Sequence, residues 1–269
     1  MEAEPAAGRP VDVPLTGGRM TDGIIRRGDQ VRRPTGPWSP AVHEYLRHLA
    51  GVGFTGAPRL LGVESDREVL SYLDGVVADD PQWQPGRGHR LPRAVRTESA
   101  LVSVAALIRG LHDAARGFRP TEVGYRFHPH PPLVDEVVSH GDLGPWNTVY
   151  RDGVAVGFID WDAARPVDPV VDLAGAAWAF VPLAPAKQLR EAGFGPLPDL
   201  GRRLRLFLDA YGLTDRLAIL PALWRSRLAS VEHVRYWPVD AAGAADVLEF
   251  TAGQLRWLQD NQAELTRQL

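Results

Sequence analysis

The chain has 269 residues, of which 45% are hydrophobic and 23% charged, the balance of an ordinary globular protein with ample material for a core. Its formal net charge of −3 gives no electrostatic footprint for nucleic acid or an anionic membrane surface, so neither is expected as a partner. It contains no cysteine, which excludes disulfides, cysteine–metal sites and thiol catalysis.

The first ten or so residues read as a loose tail with acids and no apolar stretch of the kind a secretory signal needs. The longest apolar run, from Val170 to Leu183, is interrupted by Asp172 and Pro182 and falls short of the ~18–20 residues of a membrane span. A cytoplasmic protein is therefore expected. Lys187 is the single lysine among 30 basic residues, so any task usually done by lysine falls to arginine.

From Val11 to Pro34 the sequence predicts short strands broken by glycines. Gly28-Asp29 lies between Ile24–Arg27 and Gln30–Arg33 and predicts a hairpin. Ser39, followed by Pro40, predicts an N-cap, and Val42, Leu46 and Leu49 follow at helical spacing up to Gly51. A second strand pair, Arg59–Val63 and Glu68–Leu73, ends at Asp74-Gly75. Residues 79 to 93, rich in Pro, Gly and Arg, predict a loop. Leu101, Val104, Ile108 and Leu111 form the stripe of a helix from Thr97 to about Arg116. Residues 133 to 160 return to short β-prone pieces. The remainder is predicted helical at about 170–181, 199–211, 216–236 and 242–267, with Arg202, Arg203 and Arg205 on a solvated face. The order predicts an α+β, bilobal molecule: a tail over 1–10, a small β-rich N-lobe over 11–74, and a larger, mainly helical C-lobe over 75–269.

The chemistry concentrates in Ser139-His140-Gly141-Asp142-Leu143-Gly144-Pro145-Trp146-Asn147, followed by a hairpin at Arg151-Asp152-Gly153 and then by Phe158-Ile159-Asp160-Trp161-Asp162. Phosphoryl transfer to a hydroxyl needs neutralised charge and in-line oxygens more than covalent help. Mg²⁺ takes hard oxygen ligands and keeps several waters, so one amide oxygen (Asn147) and one carboxylate (Asp160) suffice. A separate carboxylate, Asp142, is placed to orient the acceptor hydroxyl and take its proton. His140 belongs to the same catalytic segment and reads as an organiser of the loop rather than a base.

The segment resembles the catalytic core of the aminoglycoside phosphotransferase family, relatives of choline kinases and, more remotely, of protein kinases. The resemblance takes in Leu111-His112 and Asp168-Pro169-Val170-Val171-Asp172-Leu173-Ala174, and covers residues 107 to 178. It implies a protein-kinase-like fold, ATP or GTP as phosphate donor, Mg²⁺, and a small-molecule hydroxyl as acceptor, an antibiotic such as an aminoglycoside or a choline-, homoserine- or sugar-like metabolite. It implies Asp142 as base, Asn147 and Asp160 as metal ligands, and Asp172 as a buried support of the catalytic loop. It also implies a phosphate-gripping lysine on a strand, paired with a glutamate on the next helix. Here the strand carries Arg32 and Arg33, which face opposite ways, so one of the two enters the cleft. Glu44 is the obvious partner carboxylate, with Val42 and His43 competing for its register. Gly17 and Gly18 are candidates for a phosphate-covering turn, and Ser71, Tyr72 and Leu73 for a hinge whose backbone meets the base. Asp162, Glu232 and Trp237 are candidate substrate contacts. The missing lysine also leaves open a catalytically silent, ligand-binding relative. A protein kinase is disfavoured, because the stretch after Asp162 is too short for an activation segment.

Overall fold

The structure is a computed structural model that describes residues 11–15, 21–80, 82–84, 87–128, 130–234 and 240–269. Its N-terminal part is a five-stranded antiparallel sheet: β1 (Asp12–Pro14), β2 (Ile25–Arg27), β3 (Gln30–Pro34), β4 (Leu60–Glu64) and β5 (Arg67–Ser71), in the order β1-β2-β3-β5-β4. Helix α1 (Ser39–Gly51) connects β3 to β4. The β2–β3 hairpin closes through Gly28-Asp29, with Gly28 supplying the positive φ (64°) at the first loop position.

Helix α1 buries Ala41, Val42, Tyr45, Leu46 and Leu49, the 3.6-residue stripe seen in its sequence. Its start differs from expectation. Ser39 is the first helical residue and Trp38 occupies the cap position. The Ser39 hydroxyl accepts the Gly36 N–H at 2.9 Å, so it closes the preceding turn instead of capping the helix.

A short strand, β6 (Val76–Val77), leads through an irregular segment to α2 (Glu98–Ala115), the central helix, capped by Thr97 Oγ1 on Ala100 N–H. Leu101, Val104, Ala105, Ile108 and Leu111 are almost wholly buried along one face of α2. Next come β7 (Val137–Ser139), β8 (Thr148–Arg151), β9 (Val154–Phe158) and β10 (Arg165–Val167). Strands β8 and β9 meet through Asp152-Gly153, both with positive φ (52° and 78°), as a tight hairpin whose twist matches its strands requires. Strand β6 pairs with β8, and β10 with β7. Neither β6 nor β10 was expected; each is too short to show a period.

The rest is helical: α3 (Pro169–Phe180), α4 (Ala186–Glu191), α5 (Leu200–Tyr211), α6 (Ile219–His233) and α7 (Ala241–Gln268). Asp168 caps α3 on the N–H groups of Val170 and Val171, and Asp240 caps α7 on Gly243 N–H. The predicted boundaries hold within a few residues, except that α4 was unforeseen and α6 starts only at Ile219 after a 3₁₀ turn. Arg203 is a correction. It is 5% exposed, not part of a solvated face, and donates to the carbonyls of Phe180, Val181 and Arg96. Two of those carbonyls lie at the end of α3, where helical geometry leaves acceptors without partners. No described helix is long and apolar enough to cross a membrane.

Candidate active site

The catalytic segment leaves β7 at Ser139 and enters β8 at Thr148, with a 3₁₀ turn at Pro145–Asn147 between them. Gly141 has φ 79°, and a Cβ there would lie 1.9 Å from the Ala163 carbonyl oxygen. Only glycine lets this loop press against the 160–163 segment. His140 holds the same two segments together. Its Nδ1 accepts the Asp142 N–H at 3.3 Å, which leaves the proton on Nε2 to donate to Ile159 O at 2.8 Å. Both ring nitrogens are thus occupied, as an organiser requires.

Asn147 turns back on Asp142. Its Nδ2 donates to Asp142 Oδ2 at 2.8 Å and to the Asp142 carbonyl at 3.0 Å. Its own carbonyl accepts the Ile159 N–H at 2.9 Å, which sets Asp160 beside it. Asp160 has φ 63°, a left-handed conformation that aspartate tolerates better than most residues. The sequence thus brings Asp142, Asn147 and Asp160 to one place through a glycine, a histidine and a hairpin.

Arg33 enters this place from β3. It is 5% exposed, with Nη1 3.0 Å from Asp160 Oδ1, Nη2 paired with Asp162 Oδ2, and Nε 3.1 Å from Glu68 Oε1. Burial works against its charge, but Asp162, Asp160 and Glu68 outweigh burial, and its pKa is raised. Arg32 points the other way, to Glu64 on the exposed face. Glu44 does not meet either arginine. It accepts from the N–H groups of Thr121 and Glu122. The helix contributes His43 instead, whose Nε2 lies 2.5 Å from Glu68 Oε2. Glu68 escaped notice in the sequence because only the strand register puts it opposite Arg33. Asp162 is buried between Arg33, Arg126 and Thr21, with Nη1 of Arg126 at 3.5 Å and Thr21 Oγ1 at 3.3 Å.

Beneath the loop, Asp172 accepts from Ser139 Oγ at 2.7 Å and His112 Nε2 at 3.0 Å, and His112 reaches Tyr211 through Nδ1 at 2.8 Å. Burial pushes the Asp172 carboxyl up, but His112, Ser139 and Arg165 prevail and hold it below the usual range. The two outlying pieces of the motif, Leu111-His112 and Asp168–Ala174, therefore meet in one buried contact.

The sequence profile described as the phosphotransferase enzyme family matches residues 125–207. The trifolitoxin immunity protein of Rhizobium leguminosarum bv. trifolii is 36% identical over 211 residues, 76% of each chain. The chain belongs to the phosphotransferase enzyme family. In fold, this phosphotransferase is similar to an aminoglycoside 2′-phosphotransferase-IIIa in complex with GDP (TM-score 0.55, 15% identity, 95% of each chain covered). It is also similar to an ethanolamine kinase of Plasmodium vivax (TM-score 0.58, 12% identity, 96% of this chain and 83% of the other). The fold is protein-kinase-like, α+β.

The donor set of the phosphotransferase suits Mg²⁺. Asn147 commits its nitrogen to Asp142, leaving its amide oxygen as the hard donor. Asp160 gives Oδ1 to Arg33, and its Oδ2 takes no hydrogen bond among the described residues; its side chain is 43% exposed. No group of three His, Cys, Asp or Glu side chains suited to a metal gathers among the described residues. A metal here would have few protein ligands, the usual pattern for Mg²⁺ held against phosphates.

The N–H groups of Ser71 and Tyr72 donate to the carbonyls of Arg59 and Asp29, so these two amides are engaged within the sheet rather than turned to a base. The Tyr72 ring lies under Arg26, 3.6 Å from its guanidinium carbon. Leu73 packs against Gly157. Glu232 is exposed in the last turn of α6, with no hydrogen bond or ion pair to the Asp142 loop among the described residues. Gly17, Gly18 and Trp237 lie outside the described residues.

Proposed function

We propose that this phosphotransferase moves the γ-phosphate of ATP or GTP onto a hydroxyl of a small toxic molecule, with Mg²⁺, in the cytoplasm. The observation that carries the reading is the hydrogen bond from Asn147 Nδ2 to Asp142 Oδ2, next to Asp160, with Arg33 reaching Asp160 from β3. In this reading residues 11–74 receive the nucleotide and residues 75–269 carry the loop and the acceptor site.

Asn147 and Asp160 would hold Mg²⁺, which when bound supplies charge neutralisation for the transferring phosphoryl group. Asp142 orients the acceptor hydroxyl and takes its proton as the new O–P bond forms and the bond from the γ-phosphorus to the β–γ bridging oxygen breaks. Arg33 supplies fixed positive charge to the nucleotide phosphates. Asp172 holds the start of the loop through Ser139. Asp162, held by Arg33 and Arg126, serves the nucleotide side rather than the acceptor.

A toxic acceptor is supported by the names of the relatives, an immunity protein and an aminoglycoside phosphotransferase; the ethanolamine kinase supports a metabolite instead. The deciding assay offers ATP or GTP with Mg²⁺ and a panel of aminoglycosides, macrocyclic and peptide antibiotics, amino alcohols, homoserine and sugars. Turnover of an antibiotic is expected, and activity on metabolites alone would overturn that acceptor class. A second reading, a silent ligand-binding relative, is favoured by one contact: the guanidinium of Arg33 lies on the carboxylate that would hold the metal. Ligand binding without any turnover would decide for it.

A further inference from the structure

The segment between β6 and α2, which the sequence presents as a plain loop, is built around Asp80. Asp80 Oδ1 accepts the Gln82 N–H at 3.2 Å and Oδ2 the Arg90 N–H at 2.8 Å, which draws its two arms together. Trp83 Nε1–H donates to the Arg87 carbonyl at 2.6 Å. Leu91 is sunk against Leu189, Ala192 and Phe194, with its N–H on the Ala192 carbonyl at 3.1 Å. So tied, the described residues of this loop hold their side chains in fixed places.

One of those side chains is His89. Its ring stacks on Trp83 (centroids 4.9 Å apart, planes 15° apart) and on Trp146 (4.3 Å, 22°). Three near-parallel rings thus run from the loop to the catalytic segment. Trp146 in turn donates its indole N–H to Asp142 Oδ2 at 3.2 Å. Its benzo ring lies on Gly144, where a Cβ would come within 2.3 Å of Cε2 and Cζ2. With His89 on the ring and the Gly144 backbone against it, the indole is held to aim its N–H rather than to offer a face to a ligand.

We infer that Trp146 is a positioning residue for Asp142 and that the His89–Trp83 stack fixes Trp146; this rests on Asp142 being the base. Asp142 Oδ2 receives two donors, Trp146 Nε1 and Asn147 Nδ2. Oδ1 is left to meet the acceptor hydroxyl. Without the indole, Asn147 is the one side-chain donor left to the carboxylate among the described residues, and the carboxylate rotates more freely about its Cβ–Cγ bond. Orientation of a base toward its proton is a rate term, not a binding term. The loop thereby acts on the rate from outside the motif.

The test combines kinetics with an assignment that needs no turnover. Trp146→Phe keeps an aromatic ring in the stack and removes the N–H. With Mg²⁺-ATP and the acceptor identified by the panel, or water as acceptor, kcat is expected to fall about tenfold, the scale of one charge-assisted hydrogen bond, with the nucleotide KM within about twofold. His89→Ala is expected to lower kcat about threefold through lost orientation, and His89→Phe to restore it. In ¹H–¹⁵N spectra the Trp146 indole signal, assigned by its loss in Trp146→Phe, is expected to move in Asp142→Asn while the Trp83 indole stays. An unmoved Trp146 signal, or wild-type kcat in Trp146→Phe, overturns the inference. A chain that turns over nothing, water included, sinks the catalytic reading instead; the indole shift then still decides whether Trp146 holds Asp142.

Discussion

Glu68 stands directly across from Arg33 in the β3–β5 ladder and takes Arg33 Nε at 3.1 Å on one oxygen and His43 Nε2 at 2.5 Å on the other. The family resemblance implies a strand lysine paired with a helix glutamate. Here the carboxylate comes from the neighbouring strand, and the helix sends a histidine to brace it. The two departures go together. A guanidinium has three nitrogens in a rigid fork, so Arg33 engages Glu68 with Nε while Nη1 and Nη2 reach Asp160 and Asp162. A lysine ammonium is a single point of charge and lacks the spread of that fork.

In the proposed reading Arg33 supplies positive charge to the nucleotide phosphates, so Arg33→Ala is expected to weaken nucleotide binding by roughly tenfold or more. Arg32→Ala should stay within about twofold, since Arg32 pairs with Glu64 on the exposed face and surface pairs contribute little. Titration calorimetry with Mg²⁺-ATP separates them. Equal, small losses in both variants would remove Arg33 as the anchor.

Asp142→Ala is expected to cut turnover by ~10²–10⁴-fold, the usual contribution of a positioned base, while nucleotide affinity changes little. Asp160→Ala should lower turnover and also weaken Mg²⁺-dependent nucleotide binding, because in the proposed reading that carboxylate would hold the metal. Steady-state rates with binding measured in Mg²⁺ and in EDTA check both. Near-wild-type turnover in Asp142→Ala would strip that residue of its role.

Much of the site was legible in the sequence because it is local. Asp142 and Asn147 are separated by a short Gly-Pro loop, and Asp152-Gly153 announces the hairpin that returns the chain to Asp160. The long-range half was not. Glu68 needs the register of two strands, and Arg126, on an irregular segment, reaches Asp162 only in the folded chain. Arg203 misled for a related reason. Three arginines on one short helix look like a solvated face, yet one of them turns inward to the bare carbonyls at the end of α3. His89 and Trp146 reveal nothing in sequence, because stacking between a loop and a motif leaves no periodic trace.

Gly141→Ala tests the packing of the catalytic loop on the 160–163 segment. The added methyl must enter space held by the Ala163 carbonyl at 1.9 Å, and the backbone must keep a φ of 79° that alanine disfavours. Strain of this kind costs about 1–3 kcal/mol, before any displacement of the loop is counted. Lower thermal stability and turnover at or below the level of Asp142→Ala are expected. A variant with unchanged melting temperature and rate would show that the loop is not pinned there.

Stability should also fall on mild acidification, through His128. Its Nε2 lies 3.1 Å from Arg165 Nη1, and its ring is 5.7 Å from that of His130. Burial first, then the charges of Arg165 and His130, push its pKa from the ordinary 6.5 down to about 4. In the unfolded chain His128 takes a proton as pH drops through 6.5, but in the fold it does so only near 4. Between those limits the unfolded state binds more protons, so stability falls as pH falls. Asp172 does not contribute in this window. Its folded pKa lies below 3.8, so the stability it lends is present above that value and is lost only in stronger acid. Melting temperatures measured from pH 7 to pH 4 are expected to decline less in His128→Gln than in the wild type. Parallel declines in the two proteins would place the acid sensitivity elsewhere.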